Sequence, residues 1–163
     1  MDILEFALEK ERLSREYYQN LADSTNHTGL KNILSMLIEQ ESEHCRVIEQ
    51  LKNHTNPELR QFDFLGDAKK QFEQMKVTDP ELAFHPSELE LYREARAKEL
   101  KSRQFYLEKA DETDDPAQED IFHKLADEEN KHYILLDNIC DFVEEPEWYL
   151  ENAEFSQIEN YPV

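Results

Sequence analysis

Residues 7–44, ALEKERLSREYYQNLADSTNHTGLKNILSMLIEQESEH, return at residues 95–132 as ARAKELKSRQFYLEKADETDDPAQEDIFHKLADEENKH. The offset is 88 residues, no gap is needed, and 13 of 38 aligned positions are identical. Among the identical pairs are Glu11/Glu99, Ser14/Ser102, Tyr18/Tyr106, Leu37/Leu125, Glu41/Glu129 and His44/His132. A gap-free repeat of this length implies two equivalent hairpins, so a site offered by one is offered again by the other.

The hairpins are helical. Prolines fall at 57, 80, 86, 116, 146 and 162 and leave long proline-free stretches on both sides of residues 57–86, and proline is what helix interiors exclude. The first stretch is broken by the turn formers Ser24 to Gly29. Four helices are expected near 3–24, 29–53, 87–112 and 116–144. Capping chemistry opens three of them: Asp2 with Glu5, Ser87 with Glu90, and Asp115 before Pro116 with Gln118. The connection 54–86 is longer than a bundle loop needs and holds a short helix around 67–75. The expected architecture is all-α: one domain over 1–145, a four-helix bundle running up, down, down, up with a long crossover between the second and third helices. Residues 146–163, with Trp148, Tyr149 and Phe155, form a tail packed on the bundle.

Apolar residues recur in steps of three and four on each helix, as a buried face requires. The first stripe is Leu4, Ala7, Glu11, Ser14, Tyr18, Leu21, and the second is Leu30, Leu34, Leu37, Glu41, His44, Ile48, Leu51. The third is Tyr92, Ala95, Glu99, Ser102, Tyr106, Ala110, and the fourth Phe122, Leu125, Glu129, His132, Leu136, Ile139. Four glutamates and two histidines therefore occupy core positions between apolar layers. Buried carboxylates without compensation cost several kcal/mol each and repel one another; two divalent cations balance four negative charges. The clustered acids are expected to hold raised pKa values in the metal-free protein. His27, His54, His85 and His123 fall in loops, at helix ends or off the stripes, and are expected to face solvent. Cys45, beside His44, is expected to be packing rather than a ligand.

Composition narrows the function. Eighteen basic against 38 acidic residues give a net charge of −20, which disfavours nucleic acid and anionic membrane as partners. Two glycines leave no phosphate-binding loop. Two cysteines provide neither a disulfide framework nor a four-thiolate metal site, and no apolar run reaches membrane-spanning length. A cytoplasmic location is expected.

The doubled motif, Glu11 with Tyr18 and Glu99 with Tyr106 seven residues on, Glu41 with His44 and Glu129 with His132 three on, resembles the rubrerythrin-type branch of the ferritin-like di-iron carboxylate superfamily over residues 1–145. The resemblance implies that Glu41 and Glu129 bridge two iron ions, that Glu11 with His44 completes one and that Glu99 with His132 completes the other, manganese and zinc being the alternative metals. It makes Tyr18 and Tyr106 hydrogen bonders or electron donors beside the ligands, the alternative being packed core aromatics. The implied activity is oxidation of ferrous iron by dioxygen or hydrogen peroxide, in iron homeostasis or oxidative-stress protection. A separate electron-donor protein and a homodimer belong to that reading. Iron storage and a metal-free acidic interaction module are the competing readings. Two departures matter: Ser102 stands where rubrerythrins proper carry a further glutamate, and the four rubredoxin cysteines have no counterpart. The resemblance therefore does not extend to efficient NADH-linked peroxidase activity.

Overall fold

The computed structural model describes residues 2–78 and 83–152. Every regular element among them is a helix: α1 Ile3–Ser24, α2 Thr28–Lys52, α3 Phe64–Thr78, α4 Pro86–Glu112, α5 Pro116–Glu144 and α6 Pro146–Asn152. The fold is all-α, as the sequence implies. No helix among the described residues is long and apolar enough to cross a membrane. The chain forms two compact units. One holds the described residues through Phe62 together with Tyr106–Leu125; the other holds Asp63–Phe105 and the described residues from Ala126 onward.

In the first unit α1 and α2 make an antiparallel hairpin. Only Thr25 to His27 connect them, and contacts from Lys52 to Glu5, Glu49 to Arg12 and Ser42 to Arg15 descend one helix while ascending the other. The Asp2 carboxylate accepts the Glu5 N–H at 2.8 Å and starts α1 as expected. His27, only half-buried, starts α2: its Nδ1 accepts the Leu30 N–H at 3.2 Å. Every residue of the predicted α2 stripe is buried. Burying one such leucine or isoleucine contributes about 1.5–3 kcal/mol, so this face supplies much of the unit's cohesion. On α1, Ala7, Glu11, Tyr18 and Leu21 are buried and Leu8 joins them, while Leu4 and Ser14 are only half-buried.

The second unit is closed by aromatic rings. Phe72 of α3 meets Phe142 of α5 at 5.5 Å and Tyr149 of α6 at 5.1 Å between ring centres, both edge-on. The Tyr149 hydroxyl donates to Asn138 Oδ1 at 2.9 Å. The tail residue Tyr149 is buried, whereas Trp148 is 57% exposed; Phe155 lies outside the described residues. Two local expectations are corrected. Helix α4 begins at Pro86, and the group capping it is the His85 imidazole, whose Nδ1 accepts the Ser87 N–H at 3.1 Å. Ser87 therefore sits inside the first turn. Helix α3 exceeds 67–75 because the Asp63 carboxylate accepts the Gly66 N–H at 3.2 Å and so opens it earlier.

Glu43 ties the chain leaving α2 back onto the helix. It accepts from Arg46 Nε at 2.6 Å, from Arg46 Nη2 at 2.7 Å and from the Arg60 N–H at 2.7 Å. Burial pushes its carboxyl upward, but these bonds and the two guanidinium charges outweigh that and hold it below its ordinary 4.5. A depressed carboxyl contributes stability above its unfolded pKa and loses it as pH falls through the folded value. Glu43→Gln should cost about 1.5–3 kcal/mol at pH 7, a deficit that shrinks below about pH 4.5. Urea denaturation of both proteins from pH 7 to pH 4 measures it, and a deficit independent of pH would contradict the charge-based account.

Candidate metal centre

The six predicted ligands are all at most 2% exposed, and they fall into two sets of three. In the first unit, the His44 Nδ1 faces Glu11 Oε2 at 3.4 Å and Glu41 Oε2 at 3.9 Å. In the second, the His132 Nδ1 faces Glu99 Oε2 at 3.6 Å and Glu129 Oε2 at 3.9 Å. Within each set, every residue offers a donor atom and the three atoms lie within 4.8 Å of one another. Stripe periodicity explains the convergence, since Glu41 and His44, or Glu129 and His132, lie one turn apart on one helix face, and the antiparallel neighbour supplies Glu11 or Glu99.

These separations exceed the 2.7–2.9 Å or so of a charge-assisted nitrogen–oxygen hydrogen bond. Two donors each about 2.1 Å from one ion at a tetrahedral angle stand about 3.4 Å apart, the separation of His44 Nδ1 and Glu11 Oε2; the other pairs are somewhat wider. Oxygen and imidazole nitrogen are the donors on hand. Thiolate is not, because burial above all pushes the thiols of Cys45 and Cys140 up to about 11, leaving Cys45 as packing.

Tyr106 contacts a ligand directly. Its hydroxyl donates to Glu11 Oε1 at 2.5 Å, its ring stacks on Phe122 at 6.1 Å, and Lys10 Nζ lies 4.6 Å from the ring centre. Tyr18 is buried with its ring edge-on to Tyr17 at 6.2 Å. The Phe64 ring packs edge-on to the His132 imidazole at 5.3 Å. The expectation of raised carboxyl pKa values fails at Glu11. Burial does push it up, but a hydrogen bond with Glu41 and the charges of His44 and Lys10 outweigh burial and hold it well below its ordinary value.

Sequence reasoning missed Gln40, Glu43, Glu128 and Lys131, all buried. They flank the stripes rather than lying on them. The repeat offered no distinguishing signal, because most of its 38 aligned positions also differ.

A duplicated, buried glutamate–glutamate–histidine set on an all-α scaffold defines a carboxylate protein of the ferritin-like kind. The chain belongs to the rubrerythrin family, which it matches over residues 2–140. No curated protein and no solved structure matches it. The family and the buried carboxylate–imidazole clusters together suit a di-iron site.

Tyr106→Phe removes the donor from Glu11 Oε1 and should destabilise the metal-free protein by about 1.5–3 kcal/mol, the range for a hydrogen bond to a charged group. Urea denaturation reads the change. Unaltered stability would reduce Tyr106 to a packed aromatic.

Proposed function

We propose that the chain holds two iron ions and oxidises ferrous iron with dioxygen or hydrogen peroxide, in iron homeostasis or oxidative-stress protection. The observation that carries this reading is the same buried Glu, Glu, His set appearing twice in one repeat register. Glu11, Glu41 and His44 hold one ion, and Glu99, Glu129 and His132 hold the other. By the family resemblance, Glu41 and Glu129 would be shared between the two. Mixed oxygen and imidazole donors suit iron or manganese better than calcium, which takes oxygen alone.

Iron bound there supplies one-electron chemistry between ferrous and ferric states, and two ions supply the two electrons that, with two protons, reduce one peroxide to two waters. The protein's own residues do the rest. The apolar layers of the stripes exclude bulk water, which strengthens every charge interaction inside. Tyr106 holds Glu11 by Oε1 and leaves Oε2 toward His44. As a phenol hydrogen-bonded to a ligand, it is the side chain placed to pass a proton or an electron. A separate donor protein returns electrons, and the molecule works as a cytoplasmic homodimer.

Iron titration of the anaerobic protein should reach two equivalents per chain. Melting temperature should rise with metal concentration, because the unfolded chain scatters the ligands. His44→Ala and His132→Ala should each weaken one equivalent first, whereas Glu41→Ala and Glu129→Ala should damage both. One equivalent, or none, overturns the reading, and equal losses in all four variants overturn the shared-carboxylate assignment.

Ser102 is buried one turn from Glu99, where the peroxide-reducing relatives carry a carboxylate. Ser102→Glu should raise the rate of oxidation by peroxide relative to that by dioxygen. Stopped-flow absorbance on the ferrous protein decides, and an unchanged ratio refutes the assignment of oxidant preference to this position.

A further inference from the structure

Beside the buried face of α1, Arg12, Arg15, Glu16 and Gln19 follow one another at three- and four-residue spacing and so share one side of the helix. Together with Asn20 and with Ile38 of α2 they line an open cavity of about 350 Å³. Two guanidiniums, two amides and one carboxylate thus surround a single aliphatic side chain. In a chain of net charge −20 the pair of arginines is a local reversal of sign. Neither is firmly held. Arg12 meets Glu49 at 3.1 Å, but both side chains are about half exposed, where an ion pair contributes little. Arg15, half-buried, donates to Ser42 Oγ at the long distance of 3.5 Å.

The cavity adjoins the first ligand set. Arg12 follows Glu11 in sequence, Arg15 lies one turn beyond it, and Ser42 follows Glu41. Burial above all pushes the Cys45 thiol up, and the charges that act on it next are those of Glu11, Arg15 and Arg12. The ligand carboxylate and both guanidiniums therefore gather around one side chain of α2, itself next to His44. A guanidinium presents its N–H groups as a fork that fits a carboxylate bidentately. Two forks one turn apart, on residues whose Cβ atoms stand about 5–6 Å from each other, fit two carboxylates of one small molecule. The amides of Gln19 and Asn20 add further donors. Inorganic phosphate would occupy one fork and leave most of the volume to water, whereas a hydroxylated di- or tricarboxylate spans both forks and gives its hydroxyl to Glu16.

We propose that this cavity binds a small hydroxylated polycarboxylate, and that ferrous iron reaches the first ligand set as the anionic chelate of such a molecule. Net charge of this size draws free divalent cations to the whole surface but repels an anionic chelate from it. Screening limits that repulsion to about 8 Å at physiological ionic strength, so two arginines decide locally where the chelate docks. Once docked, the iron exchanges carboxylates of the small molecule for Glu11, Glu41 and His44 without a change of oxidation state, and the polycarboxylate departs. The delivery of iron rests on the metal-binding reading above; the anion site itself does not.

Calorimetric titration of the metal-free protein with citrate should show one site per chain. Tricarballylate, which lacks the hydroxyl, should bind more weakly, and inorganic phosphate more weakly still. Arg15→Gln and Arg12→Gln should each weaken citrate binding by about 10-fold or more, the loss of a charge-assisted hydrogen bond. Arg15→Lys should weaken it less, because the charge remains without the fork, and Glu16→Ala should abolish the preference for citrate over tricarballylate. Lys124→Gln changes the net charge equally outside the cavity lining and should leave binding unchanged, with thermal melting of every variant as the check on folding. Anaerobic iron uptake is then compared from ferrous citrate and from the aquo ferrous ion. Arg15→Gln should slow uptake from citrate about 10-fold relative to uptake from the aquo ion. Absence of citrate binding, an equal loss in Lys124→Gln, or phosphate binding as tightly as citrate overturns the anion site. Citrate binding with an unchanged uptake ratio overturns delivery. Uptake from neither source overturns the metal-binding reading and delivery with it, while the citrate titration still decides the anion site.

Discussion

The constraint on which the rest of the structure depends is that six ionisable side chains, in two sets of three, interrupt buried helix faces made mostly of apolar residues. Each is at most 2% exposed. Carboxylates taken out of water repel one another and cost several kcal/mol apiece unless something positive or a hydrogen-bond donor meets them. Part of that compensation is visible: an imidazole beside two carboxylates in each set, the Tyr106 hydroxyl on Glu11, and Lys10 over the Tyr106 ring. The spacing left between the imidazole nitrogens and the carboxylate oxygens is wider than hydrogen bonding requires. A residue set chosen for stability alone would fill those positions with leucine, as the neighbouring stripe positions are filled. The local rule of apolar interiors is broken at the same three places in each half of the repeat, and departures of that kind are where function is expected.

Much of this was legible in the sequence because the relevant signals are periodic. Steps of three and four residues fix which side of a helix is buried irrespective of partner, and all the predicted α2, α4 and α5 stripe residues are buried. Glu11, Glu41, His44, Glu99, Glu129 and His132 were readable because each interrupts an apolar stripe in the same register as its counterpart. Proline and turn formers placed the helix boundaries to within a residue at α1, α2, α4 and α5.

What was not legible depends on neighbours that periodicity does not name. A histidine caps a helix with its ring nitrogen as well as a serine does with its hydroxyl, so Ser87 reads as the cap of α4 until His85 is seen accepting the Ser87 N–H. Glu128 and Lys131 sit beside the stripe, and three-residue spacing lets an acid and a base on one helix bury each other, whereas taken singly either would be assigned to solvent. Glu43 reads as a surface acid because its partner Arg60 lies 17 residues on, beyond the end of α2. The Glu11 carboxyl moves down rather than up because a hydrogen bond with Glu41, another acid of its set, and the charges of His44 and Lys10 outweigh burial.

A duplicated hairpin has an electrostatic consequence that ligand identity alone conceals. Two sets built from the same three residue types would hold two ions equivalently only if their surroundings were also repeated. Here the surroundings diverge one residue before each stripe glutamate and one residue before each histidine, with Gln40 and Glu43 on one side and Glu128 and Lys131 on the other. Arg46 and Arg60 draw Glu43 out to the chain that follows α2, while Lys131 keeps Glu128 in the interior beside His132. The same two repeat positions thus tie α2 to the chain that follows it in one half and form a buried ion pair within α5 in the other, and this separates the two halves more clearly than any difference among the ligands themselves.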